Sequence, residues 1–247
     1  MAFNFRRKLL AREKLVGTIL SLPSPEVAEI YSLQGFDWLF LDLEHGLIDI
    51  SDAQRIIQAS GVPCVVRCPA NDEIWIKKCL DIGAEGIIIP QVKSPEDVHH
   101  LIQLSQYPPE GIRSVGIARA HGYGLNFADY VAQANQKIAK IIQIEHITAV
   151  DNITEILAVS GIDCVFIGPY DLSASMGLVG NIEHPDVVEA INKVTTKCME
   201  ANIPLGIFSS STEGITDYIK LGYSLLAVGM DSLFLGHAAS AVIKALK

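Results

Sequence analysis

Short apolar runs alternate with amphipathic segments along the whole chain. The apolar runs are continuous rather than alternating with polar residues, which is typical of parallel strands covered on both faces. The predicted strands are Val16–Leu20, Trp38–Asp42, Val62–Arg67, Gly86–Pro90, Ala139–Glu145, Asp163–Ile167, Pro204–Ile207 and Leu225–Val228. The predicted helices are Pro25–Gln34, Ser51–Ala59, Glu73–Ile82, Pro95–Ser105, Ala149–Val159, Pro185–Ala201, Glu213–Leu221 and Ser232–Leu246. Eight strands alternating with eight helices predict an α/β fold, the (β/α)8 barrel.

The chain length fits one such barrel, because (β/α)8 barrels use about 250 residues as a single unit and this chain has 247. No low-complexity linker or block of like charges divides it. We therefore expect one domain over residues 1–247.

Two segments depart from the simple pattern. Tyr107–Gly124 is long and lacks a clear period, and we interpret it as a mobile cover over the catalytic face; the alternative is a loop at a subunit contact. The last predicted helix, Ser232–Leu246, is apolar on most sides. An outer barrel helix should keep a polar face toward solvent. We therefore expect it to pack against a neighbouring subunit of a homo-oligomer.

Polar residues stand at the carboxyl ends of consecutive predicted strands. They are Asp42, Glu44, His45, Arg67, Gln91, Gln143, Glu145, Gly168 and Asp171. The carboxyl ends of barrel strands form the catalytic face of this fold, so these residues predict an active site there.

Glu145 and Asp171 are the predicted metal ligands. They follow two predicted neighbouring parallel strands, so their side chains should converge. Paired hard oxygen ligands suit a divalent cation such as Mg²⁺ or Mn²⁺. The alternative is that they pair with lysines or cap helices.

Three further side chains have candidate roles at this rim. His45 stands beside two acids and is a candidate base; the alternative is a structural histidine. Arg67 is a candidate anchor for a substrate carboxylate, and the alternative is that it braces Asp42. Gln143 either contacts the substrate or orients Glu145.

The composition of the chain argues against several classes of function. The net charge of −9 disfavours nucleic-acid binding, which needs a basic face. The five cysteines contain no CxxC pair, which favours a reducing cytoplasm. The amino-terminal apolar run is broken by charges, and no run approaches the ~20 residues of a membrane span. We therefore expect a cytoplasmic protein without membrane or nucleic-acid partners.

The chain resembles the HpcH/HpaI aldolases in a set of ordered motifs. They are Asp-x-Glu-His-Gly at 42–46, Val-Arg-Cys-Pro-x-Asn-Asp at 66–72, Gly-Ile-Arg-Ser-Val-Gly at 111–116, Gln-Ile-Glu at 143–145 and Phe-Ile-Gly-Pro-x-Asp-Leu-Ser at 166–173. This family contains class II pyruvate aldolases, which cleave 4-hydroxy-2-oxo acids reversibly to pyruvate and an aldehyde.

The resemblance implies a role for each residue that matches a motif. Glu145 and Asp171 would hold Mg²⁺, Mn²⁺ or Co²⁺, Arg67 would bind a carboxylate, and His45 would be the base. Asp42 and Asp81 would support His45, with Asp81 reaching in from a neighbouring subunit of a hexamer. The predicted substrate-binding residues are Arg67, Gln143, Gly168, Pro169, Tyr170 and Phe208. Tyr170 stands where family members often have alanine, so the resemblance does not fix the pocket width there.

The residues predicted at the strand ends suit aldol chemistry even without the family resemblance. Cleavage next to a ketone needs a base and an electron sink, which a metal can supply by stabilising an enolate. The other sink is a lysine Schiff base, for which Lys93 is the one candidate and Lys140 stands at the wrong end of its strand. Alternative functions are a related lyase acting on a malyl-type thioester or phosphonate, or a barrel without catalytic activity.

Overall fold

The strands form a closed, all-parallel barrel in which each strand pairs with the next and β8 pairs with β1. This architecture is seen in a computed structural model of the chain, which describes residues 4–247. The strands are β1 Leu15–Leu20, β2 Trp38–Asp42, β3 Cys64–Arg67, β4 Gly86–Ile89, β5 Ala139–Ile144, β6 Cys164–Ile167, β7 Leu205–Ser209 and β8 Leu225–Met230. The predicted (β/α)8 barrel is confirmed.

Helices surround the barrel and connect successive strands. They are α1 Phe5–Leu10, α2 Pro25–Leu33, α3 Ile50–Ala59, α4 Glu73–Asp81, α5 Pro95–Ser105, α6 Phe127–Lys137, α7 Ile147–Asp151, α8 Ile153–Leu157, α9 Pro169–Ser175, α10 Pro185–Glu200, α11 Ile215–Lys220 and α12 Asp231–Leu246. A short 3₁₀ helix also covers Arg119–Gly124.

The helix predicted over Ala149–Val159 is in fact two helices, α7 and α8. They meet at Asn152, whose φ and ψ of −90° and 10° leave the helical range. The Asn152 side chain instead donates to the Lys93 carbonyl at 2.9 Å. Helices α1, α6 and α9 were not predicted.

The short helix α1 closes the amino-terminal end of the barrel. Phe5 and Leu9 are buried against the barrel interior. Arg6 holds them in place, because its Nε and Nη2 atoms each donate to Asp163 at 2.8 Å. With this end plugged, the opening that remains for a substrate is at the carboxyl ends of the strands.

The prediction that 107–124 covers the catalytic face is wrong for its own barrel. This segment follows α5 rather than β4, so it runs along the amino-terminal rim on the other side of the barrel. It is tied down there, because Arg113 donates to Asp81 at 2.7 Å and Arg119 donates to the Ile82 carbonyl at 2.9 Å. The alternative prediction, a loop at a subunit contact, stays a prediction.

The final helix, α12, touches its own barrel only through its first turn. Asp231 is buried and Phe234 packs edge-on to Tyr31, with ring centroids 6.0 Å apart. Beyond Phe234 every residue of the helix is exposed, including Leu235 and Val242.

Among residues 4–247, no helix is both long and apolar enough to cross a membrane.

All five cysteines are buried and unpaired. Burial raises the pKa of the Cys64 thiol to about 12.

Candidate active site at the carboxyl end of the barrel

Most of the residues predicted from the strand ends line one cavity of about 210 Å³ at the carboxyl rim, whereas Glu44, Gln91 and Glu145 are not part of its lining. Its polar lining includes Asp42, His45, Arg67, Gln143 and Asp171. Its apolar lining includes Ile19, Phe40, Phe166, Phe208 and Met230. A larger cavity of about 610 Å³ lies beside the 119–126 segment and α1, and none of the predicted site residues is part of its lining.

Asp42 and Arg67 form a buried, two-pronged ion pair in the wall of the cavity. They are register partners at the ends of β2 and β3. Arg67 donates from Nε to Asp42 Oδ1 at 2.9 Å and from Nη2 to Oδ2 at 2.7 Å. Its third nitrogen, Nη1, lies 3.2 Å from Glu44 Oε2. The structure thus places the arginine fork on Asp42, as the alternative prediction had it, while the guanidinium still lines the cavity.

Asp42 fixes the backbone of His45 rather than its ring. The Asp42 Oδ1 atom accepts the backbone N–H groups of Glu44 at 3.0 Å and His45 at 3.2 Å. The tight turn requires Gly46, since a Cβ there would lie 2.2 Å from the Asp42 carbonyl oxygen. This turn projects the His45 imidazole into the mouth of the cavity, where 64% of the side chain is exposed.

Glu44 is the carboxylate nearest to the imidazole, at 3.8 Å from its Oε2 to His45 Nε2. Burial raises the pKa of the Glu44 carboxyl, while the charges of Arg67 and His45 oppose the shift. Glu44 therefore lies between Arg67, the candidate anchor, and His45, the candidate base. The sequence placed Glu44 at this rim, where its charge was expected to orient His45 or to hold a water between His45 and the metal.

Glu145 is buried beneath the cavity among neutral partners. Its carboxylate accepts the Gln91 backbone N–H at 2.7 Å and the Gln91 side-chain amide at 3.1 Å, and it also accepts a short hydrogen bond from Gln143. Burial, together with the charges of Asp171 and Glu44, raises the pKa of Glu145 to about 7. The hydrogen bond from Gln91 and the charge of Arg67 oppose this shift but do not cancel it.

The Gln91 backbone adopts a left-handed conformation, with φ of 55°, to aim its N–H at Glu145. A non-glycine residue held there costs about 1–3 kcal/mol and is usually found at functional sites. Sequence inspection placed Gln91 at the rim, but a positive φ leaves no signal in the sequence.

Asp171 lies in the first turn of α9, which begins directly after β6. Within residues 4–247, its carboxylate makes no hydrogen bond or ion pair. Gly168 permits the close approach of the two strand ends, because a Cβ there would lie 2.9 Å from both Glu145 Oε2 and Gln143 Nε2.

These donors fit a hard divalent cation with an incomplete protein ligand set. Glu145 carries a raised pKa, Asp171 has a free carboxylate, and the Gln143 Oε1 atom is buried without a partner. The described part of the chain contains no cluster of three or more acidic, histidine or cysteine ligands. Two protein carboxylates would leave positions for water and substrate oxygens, which is how Mg²⁺ is commonly bound.

Asp81 lies at the opposite end of its own barrel. It is the last residue of α4 and pairs with the buried Arg113. Within one chain it therefore does not meet His45, and its predicted role depends on a second copy.

The remaining predicted substrate contacts also line the cavity. Gly168, Pro169 and Tyr170 follow β6, and Phe208 lies in β7. Ile19 and Met230 complete the apolar side and were not predicted. No lysine is among the residues around this cavity. Lys140 is buried near Asp163 at the amino-terminal end, 3.6 Å away, as its strand position predicted.

The chain is similar in sequence to known proteins. The sequence profile of the HpcH/HpaI aldolase/citrate lyase family matches residues 16–238. The chain is 38% identical over 232 residues to 5-keto-4-deoxy-D-glucarate aldolase from Shigella boydii, covering 92% of this chain and 90% of that protein. It is 36% identical over 236 residues to 2-dehydro-3,6-dideoxy-6-sulfogluconate aldolase from Pseudomonas putida, covering 94% and 92%.

A solved structure has a similar fold over nearly the full length. It is an HpcH/HpaI aldolase/citrate lyase family protein from Burkholderia cenocepacia, with a TM-score of 0.94 and 34% identity. The match covers 99% of each chain.

Proposed function

The chain belongs to the HpcH/HpaI aldolase/citrate lyase family of carbon–carbon lyases, and we propose that it is a metal-dependent class II aldolase. Its substrate in this proposal is a 4-hydroxy-2-oxo acid, cleaved reversibly to an aldehyde and pyruvate or a close 2-oxo acid. Both relatives compared above are named as aldolases, which supports the reaction class.

One observation carries the proposal. Glu145 and Asp171 lie close enough for their charges to interact, neither makes an ion pair among residues 4–247, and Asp171 lines the same cavity as Arg67 and His45. An acidic pair without an ion-pair partner suits a cation, an arginine suits a carboxylate, and a histidine suits proton transfer near pH 7.

Glu145 and Asp171 would hold the divalent ion, Mg²⁺, Mn²⁺ or Co²⁺. When bound, such an ion polarises the 2-oxo group and stabilises the enolate formed on cleavage. Gln143 and Gln91 keep the Glu145 carboxylate in position through their hydrogen bonds.

Arg67 would orient the substrate through its carboxylate. Asp42 and Glu44 already occupy one side of the guanidinium. An arginine has five N–H donors, and Arg67 is also part of the cavity lining. The two acids therefore fix the direction in which the positive charge points.

His45 would move the proton. In cleavage, its neutral imidazole accepts the proton of the 4-hydroxyl group, and the C3–C4 bond breaks to release the aldehyde. The electron pair of that bond becomes the C2–C3 double bond of the enolate. Return of a proton to C3 then completes the methyl group of pyruvate.

The working enzyme in this proposal is a homo-oligomer in the cytoplasm. The exposed apolar length of α12 supports a second copy as its packing partner. The hexamer rests on family resemblance, as does the role of Asp81 from a neighbouring subunit. The five unpaired cysteines support a reducing compartment.

Exchange of the pyruvate methyl protons with deuterated water tests the proposal. With Mn²⁺ or Mg²⁺ added, the purified enzyme should exchange these protons by forming the enolate without any aldehyde present. A barrel without catalytic activity would give no exchange. A lyase specific for a thioester would need its acyl carrier, so exchange of free pyruvate distinguishes the proposed enzyme from both.

A further inference from the structure

One side of the active-site cavity is an apolar wall. Tyr170 and Phe208 form it, with ring centroids 6.2 Å apart and ring planes at 52°. Met230 from β8 lines the same cavity. The polar groups that would handle the 2-oxo acid, including Arg67 and Gln143, come from β2, β3, β5 and the start of α9. This wall therefore lies where the other fragment, the aldehyde, would leave or enter.

A hydrogen bond holds the Tyr170 ring in place although 39% of the residue is exposed. The Tyr170 hydroxyl lies 3.3 Å from the Ser210 hydroxyl. The segment after β7 that carries Ser210 is itself ordered by serine contacts, since Ser209 Oγ donates to the Ser211 carbonyl at 2.7 Å. The aromatic surface is thus a fixed part of the cavity mouth.

No positive charge accompanies the apolar wall. In the described chain, positions 169–170, 208–214 and 230 contain no lysine or arginine, and their one charged residue is acidic, Glu213. Arg67 is the one arginine that lines the cavity, and Asp42 and Glu44 hold it on the other side. A carboxylate on the aldehyde fragment would lose water at this wall without gaining a cationic partner from these positions, which is strongly unfavourable.

We propose that Tyr170 and Phe208 select a small uncharged aldehyde, whose carbon chain packs between their rings. The cavity of about 210 Å³ is below the roughly 300–1,000 Å³ of sites for drug-sized ligands, so the chain is short. This inference rests on the proposed aldolase function and adds to it the class of aldehyde.

The test compares two four-carbon aldehydes that differ by a terminal carboxylate: butanal and succinic semialdehyde. Each is condensed with pyruvate in the presence of Mn²⁺, and kcat/KM is measured for the wild type. We expect butanal to be preferred by at least about tenfold, the scale on which one pocket contact discriminates. Equal rates, or a preference for succinic semialdehyde, would overturn the inference.

Substitutions of Tyr170 test whether this residue determines the preference between the two aldehydes. Tyr170→Ala should reduce the ratio of the two kcat/KM values by about tenfold, whereas Tyr170→Phe keeps the ring and should change that ratio less than about threefold. Thr212→Ala, on the exposed segment after β7 but outside the cavity lining, is the matched control and should leave both rates unchanged. If Tyr170→Ala kept the wild-type ratio of the two kcat/KM values, Tyr170 would not determine the preference. A thermal melt of each variant checks that it is folded.

The readouts separate this inference from the proposed function. Pyruvate methyl exchange in the wild type, measured without aldehyde, reports the aldolase function alone. Loss of that exchange would overturn the proposed function, and the inference with it. Normal exchange without discrimination between the two aldehydes would overturn the inference and leave the proposed function standing.

Discussion

Arg67 has a structural role in the site in addition to its predicted role as a substrate anchor. It pairs with the buried Asp42 and the partly buried Glu44, and it also lines the cavity. A lysine has one compact ammonium group and cannot reproduce the two parallel hydrogen bonds to Asp42. The geometry therefore predicts that substitutions at Arg67 disturb both binding and stability.

We expect Arg67→Ala to lose roughly 2–4 kcal/mol in kcat/KM for aldol cleavage, the scale for leaving one partner of a charged pair unmatched. Arg67→Lys should not be a mild change either, and it should raise the KM for pyruvate. Arg6→Lys is the matched control, because Arg6 makes a similar two-pronged pair with Asp163 at the far end of the barrel. It should lower the melting temperature without changing kcat/KM. Unaltered pyruvate affinity in Arg67→Ala would place the anchor elsewhere.

The raised pKa of Glu145, about 7, predicts a pH dependence of metal binding. A metal ligand must be deprotonated. The association constant for Mn²⁺ should therefore rise about tenfold per pH unit between pH 5 and about 7 and then level off. Calorimetry in buffers of different ionisation enthalpy should detect one proton released per ion. Glu145→Gln should bind weakly at every pH, and a wild-type affinity that is constant from pH 5 to 8 would contradict the assignment.

The same shift has a consequence for the metal-free protein. Because the folded-state pKa of Glu145 lies above its usual value, the folded protein holds this proton more tightly than the unfolded chain. The contribution of Glu145 to stability should therefore decline as pH rises from about 4.5 to about 7, by an amount on the order of 3 kcal/mol. A bound cation should reverse the loss.

His45 is predicted to act in catalysis without supporting the fold. Its ring makes no hydrogen bond within residues 4–247, and most of it is exposed. His45→Ala should lower aldol cleavage by about 10²–10⁴-fold, the usual contribution of a positioned base, with unchanged melting temperature and Mn²⁺ affinity. His100→Ala, exposed on α5, is the control. A variant that melts early yet cleaves normally at low temperature would make His45 structural.

At the scale of elements, the strands were predictable because each is a continuous apolar run. The site residues at their ends followed from that, since parallel strands bring their carboxyl ends to one rim. Two of the three helices that were not predicted lacked a full sequence signal: α1 is short and lies in the basic amino-terminal stretch, and α9 begins at Gly168-Pro169 inside a motif.

The segment 107–124 was misplaced for a topological reason. Its length and glycines suggested a functional loop, but α5 has already carried the chain to the opposite rim before it begins. The side-chain partner of Arg67 could not be predicted from the sequence either. Whether the fork of Arg67 meets Asp42 or a ligand depends on a turn conformation that residue types alone do not specify.

The helix α12 carries a prediction about assembly. Its apolar residues beyond the first turn, including Leu235 and Val242, have no partner in their own barrel among residues 4–247. We predict a symmetric oligomer in which α12 packs on another copy. The double variant Leu235→Glu, Val242→Glu should shift light scattering toward the monomer, whereas Lys220→Glu, exposed on α11, should not. A wild-type protein that is monomeric at micromolar concentration would refute this.

For the whole molecule, the fold divides structural and chemical tasks between its two ends. The amino-terminal end is plugged by α1 and by the Arg6–Asp163 pair. The carboxyl end gathers acids, an arginine and a histidine around one small cavity. The acidic pair at that cavity is the basis of the central claim, that catalysis depends on a divalent metal.

Exhaustive chelation followed by an aldol cleavage assay tests that claim most directly. The account predicts that chelation abolishes cleavage and that Mg²⁺, Mn²⁺ or Co²⁺ restores it. Borohydride added with pyruvate should trap no covalent adduct, because no lysine lines the cavity. Full activity after chelation, or pyruvate trapped on Lys93, would contradict the metal-dependent mechanism.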